Sequence, residues 1–472
     1  MRNSFSNILR LKHWLSSVVI ILLVTCIAFL LKSNSYRFNP QYLVDNSIFK
    51  DKNFAVEVKE IVSPKLKLKA YLFEEHSNPI VSVSFLFKQA GAAYDDKKLQ
   101  GTSEILSDML TSGASNYDIN KFHRILEQKA IHIGFASSLD DFSGELLFIK
   151  KDISIASKLI NLALTKPRFD LSELQKSIQR HETIYKRVME QPETKLYTQS
   201  LQKLYGNHPY GRNPYGNIQH LKKITANNLR HFMRNHLTTQ NLVIGISGDI
   251  TSDEAGRLID NIFHGIPNKY KGNQLADIDI DYSHPQEHIV NPSRQNIGLF
   301  MAKGPERLDS DFYPTIIAIQ TLMGGTLNSR IHHKARETEG LTYGVYGSWG
   351  ENDKHNYING EYSSTPDNFS RLTDIVLNEW QSLGEKGITL TELEQVKNYM
   401  IAADALRYAD IQNISATLVY MQKKLLGLDF LQKRNSYIQN IKLDDVNNAA
   451  KKYFTLDNLR LITMGDSEIE ER

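Results

Sequence analysis

The sequence is poor in cysteine and close to balance in charge, and each shortage excludes a class of protein. Cys26 is the one cysteine among 472 residues, so no disulfide forms within the chain and no cysteine-rich metal site is available. The formal net charge is +3, and no basic stripe with interleaved aromatic residues occurs, so nucleic acid is not an expected partner. Short repeats and low-complexity tracts are also lacking. With 41% hydrophobic and 23% charged residues, the composition is that of a globular protein.

The N-terminus carries a long apolar run. Residues Trp14 to Leu31 contain no charged side chain, and Arg2, Arg10 and Lys12 precede them. About 18 to 20 apolar residues suffice to cross the hydrocarbon of a bilayer as a helix, and upstream basic residues keep the N-terminus in the cytoplasm. We therefore expect residues 1–32 to be a single-pass anchor in the cell membrane, with the body on the exported, periplasmic side. A cleaved signal segment that releases the body into the periplasm is the alternative.

Beyond a polar tether at 33–53, strands and helices alternate in two similar rounds. The first round has strands at 66–73, 80–87 and 242–250 and helices at 103–110 and 171–189. The second has strands at 296–301, 357–362 and 459–465 and helices at 312–323 and 367–383. The pattern predicts two domains of ordinary size, at 54–270 and 289–472, joined by a linker at 271–288.

Several segments together resemble one family of enzymes. They are Phe87 to Asp95 followed by Gly101-Thr102-Ser103, Tyr205 to Gly211 with Gly216, Asn241 to Asp249, and the series Gly324-Gly325, Ser329-Arg330, Arg336-Glu337 and Gly340 to Tyr343. In this order and spacing, over about residues 55 to 465, they resemble the insulinase/pitrilysin zinc peptidases. The resemblance implies an α+β fold of two homologous metallopeptidase-type domains, each a mixed sheet with helices packed on it.

The zinc motif of that family is missing from the chain. In active members, two histidines at i and i+4 of a helix bind Zn²⁺, a glutamate between them is the general base, and a later glutamate completes the site. The resemblance puts Glu104, Ser107 and Asp108 at the first three positions and Ile184 near the fourth. Isoleucine cannot bind a metal, and serine cannot replace a carboxylate as a base. We expect no metal and no other cofactor in this chain.

Two other sets of residues are candidate metal sites. Glu104 and Asp108 could hold Ca²⁺ or Mg²⁺ together with Glu182, although charged residues at this spacing usually form a solvated helix face. The string from His284 to His288 reads H-x-x-E-H. Its histidines would need a helix to meet, but Pro285 lies inside the string and a strand is predicted to follow. We expect no zinc site there.

The second domain keeps a catalytic signature. By resemblance, Arg336 and Tyr343 contact the substrate backbone and stabilise an oxyanion beside a zinc site held by a homologous chain, since a guanidinium and a phenol both donate hydrogen bonds. The alternative is that Arg336 pairs with a nearby glutamate and Tyr343 belongs to the core. His332 and His333, on the same helix, are expected at the solvated surface.

The resemblance therefore implies a non-catalytic subunit of an exported zinc-dependent peptidase complex. Its partners would be a zinc-bearing homologous subunit and peptide substrates, and the chain would be inactive alone. A metal-free binding or scaffold protein of the same fold is one alternative. A metallopeptidase that uses the carboxylates of Glu104 and Asp108 is another.

Overall fold

The structure, a computed structural model, describes residues 57–282, 286–324, 329–408 and 410–466. Two mixed β-sheets form its framework. The first has the strand order β1-β2-β6-β3-β5-β4 and the second β7-β11-β8-β10-β9. The strands are β1 Val58–Val62, β2 Lys69–Glu74, β3 Ile80–Phe87, β4 His132–Ser137, β5 Phe142–Ile149, β6 Leu242–Gly248, β7 Gln286–Val290, β8 Asn296–Lys303, β9 Val345–Asn352, β10 His355–Ser364 and β11 Arg460–Gly465.

Helices cover both sheets. Those of the first half of the chain are α1 Thr102–Met109, α2 Ile119–Lys129, α3 Ile153–Thr165, α4 Leu171–Met189, α5 Pro192–Tyr205, α6 Ile218–Leu221, α7 Ala226–His236 and α8 Ser252–Phe263. Those of the second half are α9 Phe312–Met323, α10 Arg330–His332, α11 Pro366–Lys386, α12 Leu390–Arg407, α13 Ile411–Lys423, α14 Phe430–Asn440 and α15 Leu443–Tyr453, with a π-helical turn at His333–Thr338.

Each sheet mixes parallel and antiparallel pairs, which confirms the predicted α+β class. In the first sheet β2 pairs with β6 in parallel, while β3 runs antiparallel to both β5 and β6. In the second sheet β11 pairs with β7 in parallel and with β8 antiparallel. The strand predicted at 80–87 and the helices predicted at 171–189 and 312–323 have the predicted bounds, because continuous apolar runs and helical periodicity mark these three segments without competition.

Two helices pack on the sheet of the opposite half. Helix α13, from the second half of the chain, lies on β2, β3 and β6 of the first sheet, while α5, from the first half, lies on β8 and β11 of the second. The α13 contact has a polar seam in which the Ser415 hydroxyl is 2.8 Å from that of Ser82 and 2.7 Å from that of Ser84. A Cβ atom at Gly245 would lie 2.3 Å from the Ser415 carbonyl oxygen. Glycine at 245 therefore lets the helix approach the sheet.

The predicted single-pass membrane topology is wrong for the chain that the structure describes. Across the described ranges, no helix combines the length and the apolar character needed to cross a bilayer. The long helices α4 and α11, with 19 and 21 residues, both carry charged side chains along their length. The segment Trp14 to Leu31, to which the anchor was assigned, lies outside the described residues. The periplasmic location was inferred from that anchor and is withdrawn with it.

Candidate functional site

The site is built on α1, whose start is fixed by a buried carboxylate. Asp95 accepts hydrogen bonds from the backbone amides of Gly101, at 2.7 Å, and Ser103, at 3.0 Å. Gly101 has φ of 95°, a left-handed conformation that glycine adopts without strain. Burial raises the pKa of Asp95 to about 7, against the two amide donors and the positive charge of Arg212. Asp95 thus satisfies amides that the helix leaves unpaired.

Glu104 and Asp108 lie one turn apart on α1, and His181 of α4 lies between them. The imidazole Nε2 is 3.7 Å from Glu104 Oε1, and Nδ1 is 3.6 Å from Asp108 Oδ2. Nδ1 is also 3.0 Å from the Ser177 carbonyl oxygen. Since a carbonyl oxygen only accepts, Nδ1 carries a proton and donates it to Ser177. The sequence prediction did not identify His181.

Asp108 is further engaged by two other donors of α4. Its Oδ2 accepts from the Ser177 hydroxyl at 2.9 Å and from Arg180 Nη2 at 2.8 Å. For His181, burial pulls the pKa of the imidazole down, but the Glu104 carboxylate, the Ser177 carbonyl and the Asp108 charge outweigh burial. The net result is a pKa above the ordinary value for histidine. Asp108 therefore faces the cationic Arg180, and both carboxylates of α1 face the basic side chain of His181.

These residues do not fit a zinc ion. A guanidinium already lies at hydrogen-bond distance from Asp108, and a cation bound at that carboxylate would be repelled by it. His181 supplies one imidazole at most, whereas catalytic zinc sites use three protein ligands, commonly two or three of them imidazoles. Within the described ranges, no group of three or more histidine, cysteine, aspartate or glutamate residues is arranged to hold a metal ion.

The remaining residues of the predicted zinc motif are displaced from this contact. Ser107 is largely buried, and its hydroxyl donates to the Glu104 carbonyl at 2.7 Å. Ile184 lies almost one turn beyond His181 on α4, where it lines a shallow groove with Arg180 and Arg187. Glu182, suggested as a third carboxylate, has its Oε1 3.9 Å from the Lys222 ammonium.

The H-x-x-E-H string is not helical where the structure describes it. Glu287 and His288 lie on β7. The Glu287 carboxylate pairs with Lys203 and Arg460, and His288 Nδ1 is 2.8 Å from the Thr463 hydroxyl. His284 and Pro285 lie outside the described residues. The strand β7 was not predicted here, where a linker was expected, and it places the Glu287 and His288 side chains on opposite faces of the sheet.

Arg336 and Tyr343 are joined in the second half of the chain. Arg336, on the π-helical turn, donates from Nη1 to the Tyr343 carbonyl at 2.7 Å, and its Nε is 3.7 Å from the Glu337 carboxylate. The Tyr343 side chain is 84% exposed, so the alternative that Tyr343 belongs to the core is wrong. The Thr342 hydroxyl holds the loop by donating to the carbonyl oxygen of Ser363 at 2.7 Å. The expectation for His332 is also wrong, because this side chain is buried.

Comparison with known proteins places this geometry in a family. Residues 71–217 match the family described as "Insulinase (Peptidase family M16)", and residues 223–400 match "Peptidase M16 inactive domain". The chain belongs to the M16 insulinase family. Within that family it is a homologue that lacks the zinc motif.

Relatives of this M16 chain are similar over most of their length. The "Non-peptidase homolog YmxG" of Helicobacter pylori is 23% identical over 392 residues, which are 82% of this chain and 89% of that protein. The "Uncharacterized zinc protease YmxG" of Bacillus subtilis is 22% identical over 386 residues, 78% of this chain and 89% of that protein.

Solved structures share the fold. The crystal structure of a peptidase M16 inactive domain from Pseudomonas fluorescens has a TM-score of 0.81 at 21% identity and covers 88% of this chain and 99% of its own. A protease from Helicobacter pylori has a TM-score of 0.76 at 14% identity, with 86% and 99% covered. At these identities the likeness concerns the fold alone.

Proposed function

We propose that this M16 chain is a non-catalytic subunit of a zinc-dependent peptidase, which pairs with a zinc-bearing homologous subunit. In that complex Arg336 and Tyr343 contact the backbone of an extended peptide and stabilise the oxyanion formed beside the partner's zinc. The zinc would be held by residues of the partner and would supply Lewis-acid chemistry at the scissile carbonyl. The observation that carries the proposal is the contrast between a first half in which Glu104 and Asp108 face basic side chains and a second half in which Tyr343 is exposed.

The ion pairs on α1 and α4 support inactivity of the chain alone. Arg180 donates to Asp108 at 2.8 Å, and His181 lies 3.6 to 3.7 Å from both carboxylates. Each carboxylate of α1 therefore faces a basic side chain of α4. The same contacts count against a metallopeptidase that uses these two carboxylates.

The conformation of the signature loop supports a role for Arg336 and Tyr343 in contacts outside the chain. Arg336 uses one nitrogen to hold the Tyr343 carbonyl, and a guanidinium has further donors for a second acceptor. The phenol of Tyr343 is exposed, so its hydroxyl can reach a bound molecule. Prepositioned donors of this kind are what oxyanion stabilisation requires.

Reconstitution with an M16 homologue that carries H-x-x-E-H tests this role. We expect peptidase activity from the mixture and none from this chain alone. Arg336→Ala and Tyr343→Phe should each lower kcat of the mixture by about 10²-fold, the scale of one lost oxyanion donor, while co-purification of the two chains persists. Arg257→Ala and Tyr437→Phe, at an exposed position of α8 and on α14, are the matched controls and should leave kcat unchanged.

Two results would favour a different function. A stable complex whose activity is indifferent to both substitutions would favour the metal-free scaffold. Hydrolysis by the purified chain alone, abolished by Glu104→Gln, would favour a metallopeptidase of unusual ligand set.

A further inference from the structure

A buried charged cluster joins the two halves of the chain away from the residues considered above. We call it the junction cluster, and it comprises Asp140 and Asp141 at the turn between β4 and β5, Tyr210 in the single turn Pro209–Gly211, Asp353 at the turn between β9 and β10, and Lys423 at the end of α13. The first three residues belong to the first half and the last two to the second.

Lys423 is the centre of the junction cluster. Its ammonium pairs with the Asp141 carboxylate and lies 2.9 Å from Asp353 Oδ1. Asp353 also donates its backbone amide to Asp140 Oδ2 at 2.9 Å, and the Tyr210 hydroxyl donates to Asp140 Oδ1. These bonds connect the β4–β5 turn of the first sheet, the β9–β10 turn of the second sheet and the end of α13.

The junction cluster contains more negative than positive charge. Three carboxylates face one ammonium, and the side chains of Lys423 and Asp141 are each 14% exposed. One oxygen of Asp141, Oδ1, is buried and has no hydrogen-bond partner among the described residues, and the same holds for the neighbouring hydroxyl of Tyr94. An excess charge that is removed from water and incompletely paired destabilises the arrangement that buries it.

Protonation of Asp141 would remove one negative charge from the junction cluster. The ionisable groups facing it are Lys423 and Asp353 across the junction, Asp140 beside it and the Tyr94 phenol. Burial raises the pKa of Asp141 to about 6, and the attraction of Lys423 offsets this only in part. Burial and the Asp353 charge also raise the pKa of Asp140, against the hydrogen bond from Tyr210.

We propose that the junction cluster is a pH-sensitive latch between the two halves, which is tightened when Asp141 takes up a proton. Protonation leaves Lys423 with fewer competing carboxylates and removes one excess charge from the buried junction. In an opened junction Asp141 meets water and has the ordinary acidity of aspartate. The docked arrangement is therefore favoured below the folded pKa of Asp141 and loses this advantage as the pH rises through it.

Hydrogen exchange of the full-length chain, followed by mass spectrometry, tests the latch. Peptides that contain 138–142, 351–356 and 418–424 report opening, with rates corrected for intrinsic exchange. The readout is the protection of the wild type divided by the protection of Asp141→Asn. The ratio cancels the contribution of His355, which is present in both proteins and responds to pH in the opposite direction because burial lowers its pKa to about 4. We expect this ratio to rise about fourfold from about pH 7.5 to about pH 5.5, given a pKa of about 6 for Asp141.

Two further variants keep the test decisive. Asp277→Asn removes an exposed carboxylate that pairs with Lys354, next to Asp353 but outside the junction cluster. The protection of the wild type divided by that of Asp277→Asn should not change with pH. Asp353→Asn removes a charge that raises the pKa of Asp141. The protection of the wild type divided by that of Asp353→Asn should therefore also rise on acidification, by less than the ratio to Asp141→Asn, and this comparison does not need Asp141→Asn to be stable. A ratio to either variant that is flat or falls on acidification would overturn the latch.

Discussion

The Nε2 atom of His181 lies 3.7 Å from the Oε1 atom of Glu104, so a base on α4 faces an acid on α1. This is the reverse of the active family pattern, in which histidines on the first helix and a glutamate from the later one share a metal. Arg180 of α4 also pairs with Asp108 of α1 at 2.8 Å. The two helices are therefore linked by direct contacts between basic and acidic side chains.

Restoring the active pattern should restore zinc binding. The substitutions Glu104→His, Ser107→Glu and Asp108→His, combined with His181→Glu, should give a chain that purifies with about one equivalent of zinc, since three protein ligands then converge. In the matched variant, the glutamate is placed at Ile184 instead of His181. This variant should bind less zinc, because His181 is the residue of α4 that contacts both Glu104 and Asp108. Metal analysis after dialysis distinguishes them, and equal zinc in both would refute the role of position 181.

The pKa of His181 should depend on Glu104. It lies above the ordinary value of histidine because the Glu104 carboxylate, the Ser177 carbonyl and the Asp108 charge together outweigh burial. Glu104→Gln should lower it, as measured by NMR titration of the imidazole. A raised histidine pKa stabilises the fold fully below the unfolded value and loses this effect as the pH rises through the folded one. Glu57→Gln, at an exposed position, is the control; a titration unaltered by Glu104→Gln would contradict the contact.

Gly245→Ala should weaken the docking of α13. The new Cβ would lie 2.3 Å from the Ser415 carbonyl oxygen and 2.9 Å from Leu418 Cβ. Overpacking of this kind costs about 1–3 kcal/mol in the free energy of unfolding, measurable by chemical denaturation. Gly256→Ala, on α8, provides the comparison, since its Cβ would meet Pro64 Cδ at 3.2 Å and alanine has the higher helix propensity. Equal effects of the two substitutions would disprove the close approach at Gly245.

Asp95→Ala should destabilise the fold by roughly 2 to 4 kcal/mol, because two buried amides lose their acceptor. Burial raises the pKa of Asp95 from 3.8 to about 7, so the stability contributed by the protonated carboxyl falls as the pH rises from about 4 and is lost above about 7. The difference between wild type and variant should thus be larger at about pH 5.5 than at about pH 8. Asp118→Ala removes an exposed cap of α2 and should cost about 1 kcal/mol at either pH. Denaturation curves that show no pH trend for Asp95→Ala would contradict the raised pKa.

Local pattern predicted much of the fold. The strand at 80–87 and the helix at 171–189 were predicted with their observed bounds, because their apolar residues follow a single period. Pro192 lies just past the end of that helix and begins α5, since proline is as favourable in the first turn of a helix as it is unfavourable inside one.

Contacts between distant segments could not be predicted in the same way. The motif spacing placed Glu104 and Asp108 on one face of α1, but the identity of the α4 residue that meets them depends on how the two helices cross. One feature of the sequence could have indicated this residue. Two acidic side chains one turn apart favour a nearby basic partner, and Arg180 and His181 are consecutive basic residues on α4. The packing of α13 on the first sheet had no local signal, because a serine-bearing helix face is typical of the surface.

The packing of α5 and α13 on the sheets of the opposite halves affects how the chain folds during synthesis. The outer face of the first sheet stays uncovered until residues 411–423 have left the ribosome, after more than four-fifths of the chain has been synthesised. Domains generally fold as units during synthesis, the N-terminal one first, but here the first half reaches its final packing late. Nascent chains that end before α13 should therefore remain targets for chaperones and proteases.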